Sequence, residues 1–335
     1  MADTPKRQHY LPQSILRNFL DDGEKMLWYY DRKTDKYEQR TPKGIAHARN
    51  LYTYDGFELE DRYALEKAFS VLEGKAAPIF LKLKAGEETT QEEHTVISEF
   101  VGMQYHRTPA KLHNISVVMD SGLKYINENM RQEITNMTDE AFRKFISDFS
   151  DKTGKSPGTV TKQQFIDYFN RGTMKLNNPK NSLLSTLVDA GTHLAIKLSS
   201  RQWVVLHTNP GYEFITSDVG VHLTPDGKPT RITGYGPGSP GMAIIFPFAR
   251  NTALMITSKP IANVMHVDFE DALAFVVNSG LARVSGQLYS SDKALLERIV
   301  KTGNLAKTSF VPTFDEEQAQ ILAQKHFVEG GNQTE

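Results

Sequence analysis

Hydrophobic periodicity changes once along this chain, near residue 200, and no other feature constrains the fold as much. Before that point apolar residues recur at three- and four-residue intervals, as in Ile15, Leu16, Phe19 and Leu20, or Leu65, Phe69, Leu72 and Ala76. Val96, Ile97, Phe100 and Val101 repeat the pattern behind a Thr90–Glu93 capping box, and a second box, Thr161–Gln164, opens a further helix. After residue 200 the apolar residues come in short runs, at 202–207, 212–216, 242–246 and 253–257, divided by turn formers such as Asn209-Pro210-Gly211. The expected fold class is α+β, with a predominantly helical N-terminal half carrying a small sheet and a strand-rich antiparallel C-terminal part. The small sheet is expected from residues 25–31, with 52–54 as a partner strand. Pro78 should kink or end the helix that contains it.

Length and charge bound the rest. At 335 residues the chain suits two units, read as 1–170, mainly helical, and 171–335, mixed with antiparallel strands, or else one shared core. With 39 Lys and Arg against 40 Asp and Glu, it lacks the basic excess of a protein that coats duplex nucleic acid, though a local phosphate site stays open. Cysteine is absent, which removes disulfides, thiolate nucleophiles, zinc–cysteine sites and iron–sulfur ligation. No apolar run follows the opening residues and none is long enough to cross a bilayer, so a cytoplasmic protein without membrane contact is expected.

Standard chemical motifs are missing: no Gly-x-Gly-x-x-Gly, no phosphate loop ending in Gly-Lys-Ser/Thr, no His-Glu-x-x-His. Glycines between 234 and 241 lack a following helix start and read as a surface loop. Asp61, Glu73 and Lys75 invite comparison with metal nucleases, but residues two apart diverge on the helix expected there. His266, Asp268 and Glu270 would share a face if their segment were a strand. Asp268 with Asp271 fits a helix N-terminus better, so that reading is preferred. Histidines 47, 94, 113, 193, 207 and 222 show no ligand spacing.

Several short segments in order carry a family resemblance: His9-Tyr-Leu-Pro-Gln13, residues 72–78, Gln104-Tyr-His-Arg-Thr-Pro109, Trp203, and Phe214-Ile-Thr-Ser-Asp218. Phe246-Pro247, Asn278, Ala282 and Tyr289-Ser290 close the series. Together, over about residues 8–291, they resemble domain-of-unknown-function family 4238, a group of bacterial and phage proteins. The chain departs from that pattern at Val219-Gly220, where an asparagine–proline pair is common. The resemblance points to His9, Gln13, Glu73 and Asp218 as candidate catalytic residues, and to Arg107 and Asn278 as substrate-binding ones. Histidine exchanges a proton near neutral pH, a carboxylate orients it or holds a metal, and arginine grips a phosphate through two donors. Such a group implies a phosphodiester hydrolase or nucleotide-directed enzyme, such as a nuclease in phage–host conflict. Its ligand would be small and phosphate-containing or single-stranded nucleic acid, with Mg²⁺ or Mn²⁺ as the cofactor.

Each residue also has a structural reading. His9 can pin the first helix, Glu73 and Arg107 can form a buried ion pair, Asp218 can accept backbone N–H groups, and Asn278 can end a helix. Those roles fit the alternative function, a non-enzymatic regulatory module that binds a protein or a nucleotide.

Overall fold

A computed structural model describes residues 7–154, 158–171, 179–226, 236–260 and 264–306. The fold is α+β, with 52% helix and 20% strand among the described residues. Among the described residues, those up to 112 and from 183 onward form one compact unit, and 113–182 form a second. The units are therefore interleaved in sequence, unlike a division at 170/171.

In the first unit, β1 (Arg7–His9) leads into the short helix α1 (Gln13–Arg17), and Pro12 stands at its N-terminus. The hairpin β2 (Leu27–Asp31) and β3 (Lys36–Arg40) turns on Asp31, whose Oδ1 accepts from Thr34 N and Oγ1 at 2.8 and 2.9 Å. β4 (His47–Arg49) returns to pair antiparallel with β1. Residues 52–54 form no strand, contrary to the sequence expectation. Tyr52 is instead buried, with its N–H on Gln8 Oε1 and its ring edge-on to Phe69.

The helices follow: α2 (Leu59–Arg62), α3 (Ala64–Ala85) and α4 (Gln91–His106), the last opened by the complete Thr90–Glu93 capping box. Pro78 lies inside α3 and does not end it. Buried Ala76, Ile79, Phe80 and Leu83 on both sides of it hold the helix together, and Phe80 packs on Phe100 and Phe248. The second unit contains most of α5 (Pro109–Asn136) and all of α6 (Asp139–Thr153) and α7 (Lys162–Asn170). Phe142 and Phe169 are buried there with Ile134, and α7 has its expected Thr161–Gln164 box.

α8 (Pro179–Ser199) brings the chain back to the first unit. It crosses α4 so closely that a Cβ on Gly102 would lie 2.6 Å from Gly191 O. Then come β5 (Arg201–Thr208), β6 (Thr216–Ser217), β7 (His222–Pro225), β8 (Met242–Ala249), β9 (Thr252–Pro260) and β10 (Met265–Phe269). The five-stranded sheet has the order β10-β5-β9-β8-β7. Residues 212–216 do not return along β5, and residues 265–269 form β10, a strand parallel to β5, so the helix expected from Asp268 starts just beyond it at Asp271. The parallel edge strand also departs from a purely antiparallel C-terminal part. Of the glycine-rich stretch 234–241, residues 234 and 235 lie outside the described residues.

α9 (Asp271–Arg283), β11 (Gln287–Ser290) and α10 (Lys293–Gly303) close the described chain. β11 inserts between β2 and β6, so the N-terminal hairpin is completed by the C-terminal end into a sheet of order β3-β2-β11-β6. Among the described residues no helix is long and apolar enough to cross a membrane.

Candidate active site

α1 and α3 wall a cleft of about 370 Å³. Glu66, Ser70, Glu73 and Ala77 of α3 line it because spacings of four, three and four residues stack side chains on one helix face. Gln13, Ser14 and Arg17 line it from α1, and His9, the last residue of β1, completes it. Pro78 adds a consequence of its own. Lacking an N–H, it leaves the carbonyl of Gly74, at the cleft, without its helical donor.

Behind the cleft, a buried hydrogen-bond cluster fixes where β1 passes into α1. Arg107 Nε and Gln104 Nε2 both donate to the Tyr10 carbonyl, at 3.0 and 2.8 Å. Arg107 Nη1 donates to Glu73 Oε1 at 2.9 Å, with the guanidinium over the Phe69 ring. Tyr52 OH in turn donates to the Arg107 carbonyl. Arg107 sits at the C-terminal cap of α4, the place Pro109 predicts by ending that helix. Three buried atoms here have no hydrogen-bond partner: Arg107 Nη2, Gln104 Oε1 and His9 Nε2.

The electrostatics separate the titratable groups. Burial, then the neighbouring His47 and Arg107, lower the His9 pKa to about 4 against the pull of the Lys43 and Pro42 carbonyls, so the ring is neutral at pH 7. Burial also raises Glu66 to about 7; Arg107 opposes this and Glu73 reinforces it. A carboxyl near half-protonation therefore shares a cleft with a neutral imidazole.

Asp218 and Asn278 lie elsewhere. The Asp218 carboxylate accepts from Gly286 N at 3.1 and 3.2 Å, and burial raises its pKa to about 7. Near it Tyr10 OH and Tyr289 OH both donate to Gln287 Oε1. Tyr10 thus reaches both places, its carbonyl on Arg107 and its phenol toward Asp218. Asn278 is a clip: Oδ1 accepts from Ile215 N at 3.0 Å and Nδ2 donates to Glu213 O at 2.8 Å. It borders a separate cavity of about 320 Å³.

A family model described as "Protein of unknown function (DUF4238)" matches residues 7–318. The chain belongs to that family. No curated protein and no solved structure matches it.

In this DUF4238 protein, His9, Gln13 and Glu73 meet at one cleft with Arg107 bonded to Glu73, while Asp218 and Asn278 are not among its lining residues. Glu66, Ser70 and Arg17 were missed from the sequence. The helical spacing back from Glu73 was the available signal for the first two. Arg17 is one turn after Gln13, whose Oε1 accepts from it at 3.2 Å. Among the described residues, no three His, Asp or Glu groups already stand together to hold a metal ion.

Proposed function

We propose that the DUF4238 cleft is an acid–base site for hydrolysis of a small phosphate ester or for another nucleotide-directed reaction. The observation that carries this reading is the pairing of Glu66, poised between its protonation states near neutrality, with neutral His9, whose Nε2 lone pair is unengaged. His9 would accept a proton from the attacking water and Glu66 would deliver one to the leaving oxygen. Arg17 supplies donors for phosphate oxygens in the cleft, and Arg107, buried behind Glu73, adds positive charge to that wall. Glu73 orients Arg107, and the Gln13 amide is a neutral contact for the substrate. A cleft of this volume suits a nucleotide-sized group better than a duplex. A cytoplasmic nuclease acting between phage and host, assisted by Mg²⁺ or Mn²⁺ recruited with the substrate, is the narrower form of the proposal.

A second reading, a nucleotide-binding regulatory module, draws support from Arg107 itself. Its Nε and Nη1 already hold the fold together, as in a site built for recognition without turnover.

Screening the purified protein on single-stranded DNA, RNA and free nucleotides, with Mg²⁺, with Mn²⁺ and with chelator, separates the two. H9Q and E66Q should each lower any turnover by roughly 10²–10⁴-fold while the protein stays folded. Turnover unchanged in both variants refutes the acid–base assignment. Tight nucleotide binding without turnover, lost in R107A, establishes the module.

A further inference from the structure

Three residues with metal-ligating side chains share one face of the five-stranded sheet at its β10 edge. β10 pairs parallel with β5 so that His266 lies beside Val205 and Asp268 beside His207. Paired residues of neighbouring strands project to the same side, and residues two apart on one strand do as well, so His207, His266 and Asp268 stand on a common face. The two imidazoles already meet: His207 Nε2 lies 3.0 Å from His266 Nδ1, with ring centroids 5.3 Å apart and planes at 27°. His266 and Asp268 are exposed and His207 is half-buried, so the site is open to solvent.

We propose that His207, His266 and Asp268 form a binding site for a divalent transition metal ion, separate from the α1–α3 cleft. Two nitrogens bound to one tetrahedral zinc at about 2.0–2.1 Å stand roughly 3.3 Å apart, so the imidazoles must part by a few tenths of an ångström and tilt until both lone pairs meet at the ion. Between two neutral rings at 3.0 Å one nitrogen donates and the other accepts; an ion replaces that proton with a bond to each lone pair. Three such groups do not yet stand in ligand geometry among the described residues, so Asp268 must turn toward the pair on binding. Two imidazoles and one carboxylate select zinc, cobalt, nickel or copper over magnesium or calcium. Bound there, the ion would tie the edge strand β10 to β5.

The test uses the full chain, free of any histidine tag, titrated with Zn²⁺ by calorimetry and with Cu²⁺ by electron paramagnetic resonance. One saturable Zn²⁺ site is expected, weakened at least 10-fold in H207A, in H266Q and in D268N, and unchanged in E73Q. The Cu²⁺ spectrum should show two nitrogen ligands, falling to one in H266Q. H266Q and D268N fall at exposed positions and H207A at a half-buried one, and circular dichroism of each variant verifies that it is folded. No saturable Zn²⁺ uptake, or uptake that survives H207A and H266Q unchanged, overturns the site. Binding of full strength in D268N overturns the three-ligand assignment.

Discussion

Arg107 Nη1 lies 2.9 Å from Glu73 Oε1, and the pair is unequally buried, with 3% of the arginine side chain exposed against 27% of the glutamate. That inequality decides what each truncation leaves behind. Without Glu73, a guanidinium remains in the interior with one fewer acceptor. Without Arg107, a carboxylate remains that reaches water, but the Tyr10 carbonyl loses a donor.

E73A is therefore expected to cost about 3–5 kcal/mol, the range for leaving a buried charge without its partner. R107A should cost less, about 1–3 kcal/mol, because the Glu73 carboxylate reaches water and Gln104 still donates to the Tyr10 carbonyl. A double-mutant cycle by urea denaturation should give a coupling of about 1–3 kcal/mol. Strict additivity would mean that the two charges act independently.

The pH dependence has two opposed contributions. Glu66 is raised from 4.5 to about 7, so the folded protein holds that proton more tightly than the unfolded chain. Its stabilisation is complete below about pH 4.5 and is lost as pH rises to about 7; Asp218, raised from 3.8 to about 7, acts in the same sense. His9 and His106 are lowered from 6.5 to about 4, so their contribution is complete above about pH 6.5 and is lost as pH falls toward 4. E66Q removes one of the first kind. Its melting temperature relative to the unchanged protein should climb steadily from pH 4.5 to 7.5 in calorimetry, and a flat difference would refute the raised Glu66 pKa.

Asn278 should matter for stability and not for chemistry. N278A removes one acceptor and one donor from the buried backbone at Ile215 and Glu213, for an expected cost of about 1–3 kcal/mol. N278D keeps the acceptor but places a carboxylate against the Glu213 carbonyl, so it should be at least as damaging. Chemical denaturation ranks the two, and a harmless N278D would contradict the clip.

Gly286 has no side chain where a Cβ would stand 3.1 Å from Asp218 Oδ2. G286A should push the carboxylate off the Gly286 N–H and destabilise the protein by about 1–3 kcal/mol. D218N should cost less, because the amide oxygen still accepts that bond. Any activity of the α1–α3 cleft should persist in D218N, since Asp218 does not line it. Loss of activity in folded D218N would draw Asp218 back into the mechanism.

The boxes at Thr90 and Thr161, the stop before Pro109 and the runs around Trp203, Ile244 and Leu254 were legible because each signal acts over a few residues. A threonine three positions before a glutamate or glutamine, just ahead of an apolar periodic run, signals a helix start from local residues alone. His9, Gln13, Glu73 and Arg107 were visible for another reason, as members of short motifs that resemble the family's. Locality also limited what could be seen. The burial that moves Glu66 to about 7 comes from elements that meet its helix only in the folded chain, and so does the packing that carries α3 through Pro78.

The sequence by itself determined the α+β class and most helix starts, and it offered the Glu73–Arg107 pair as one of two readings, since charges among apolar residues need partners. Tertiary structure alone decided that β11 completes the N-terminal hairpin, that β10 runs parallel to β5, and that Asp218 and Asn278 serve the backbone away from the cleft. The physical reason is one of range. Capping and periodicity act within a few residues, whereas strand order, desolvation and the choice of hydrogen-bond partner depend on which distant segments share a core.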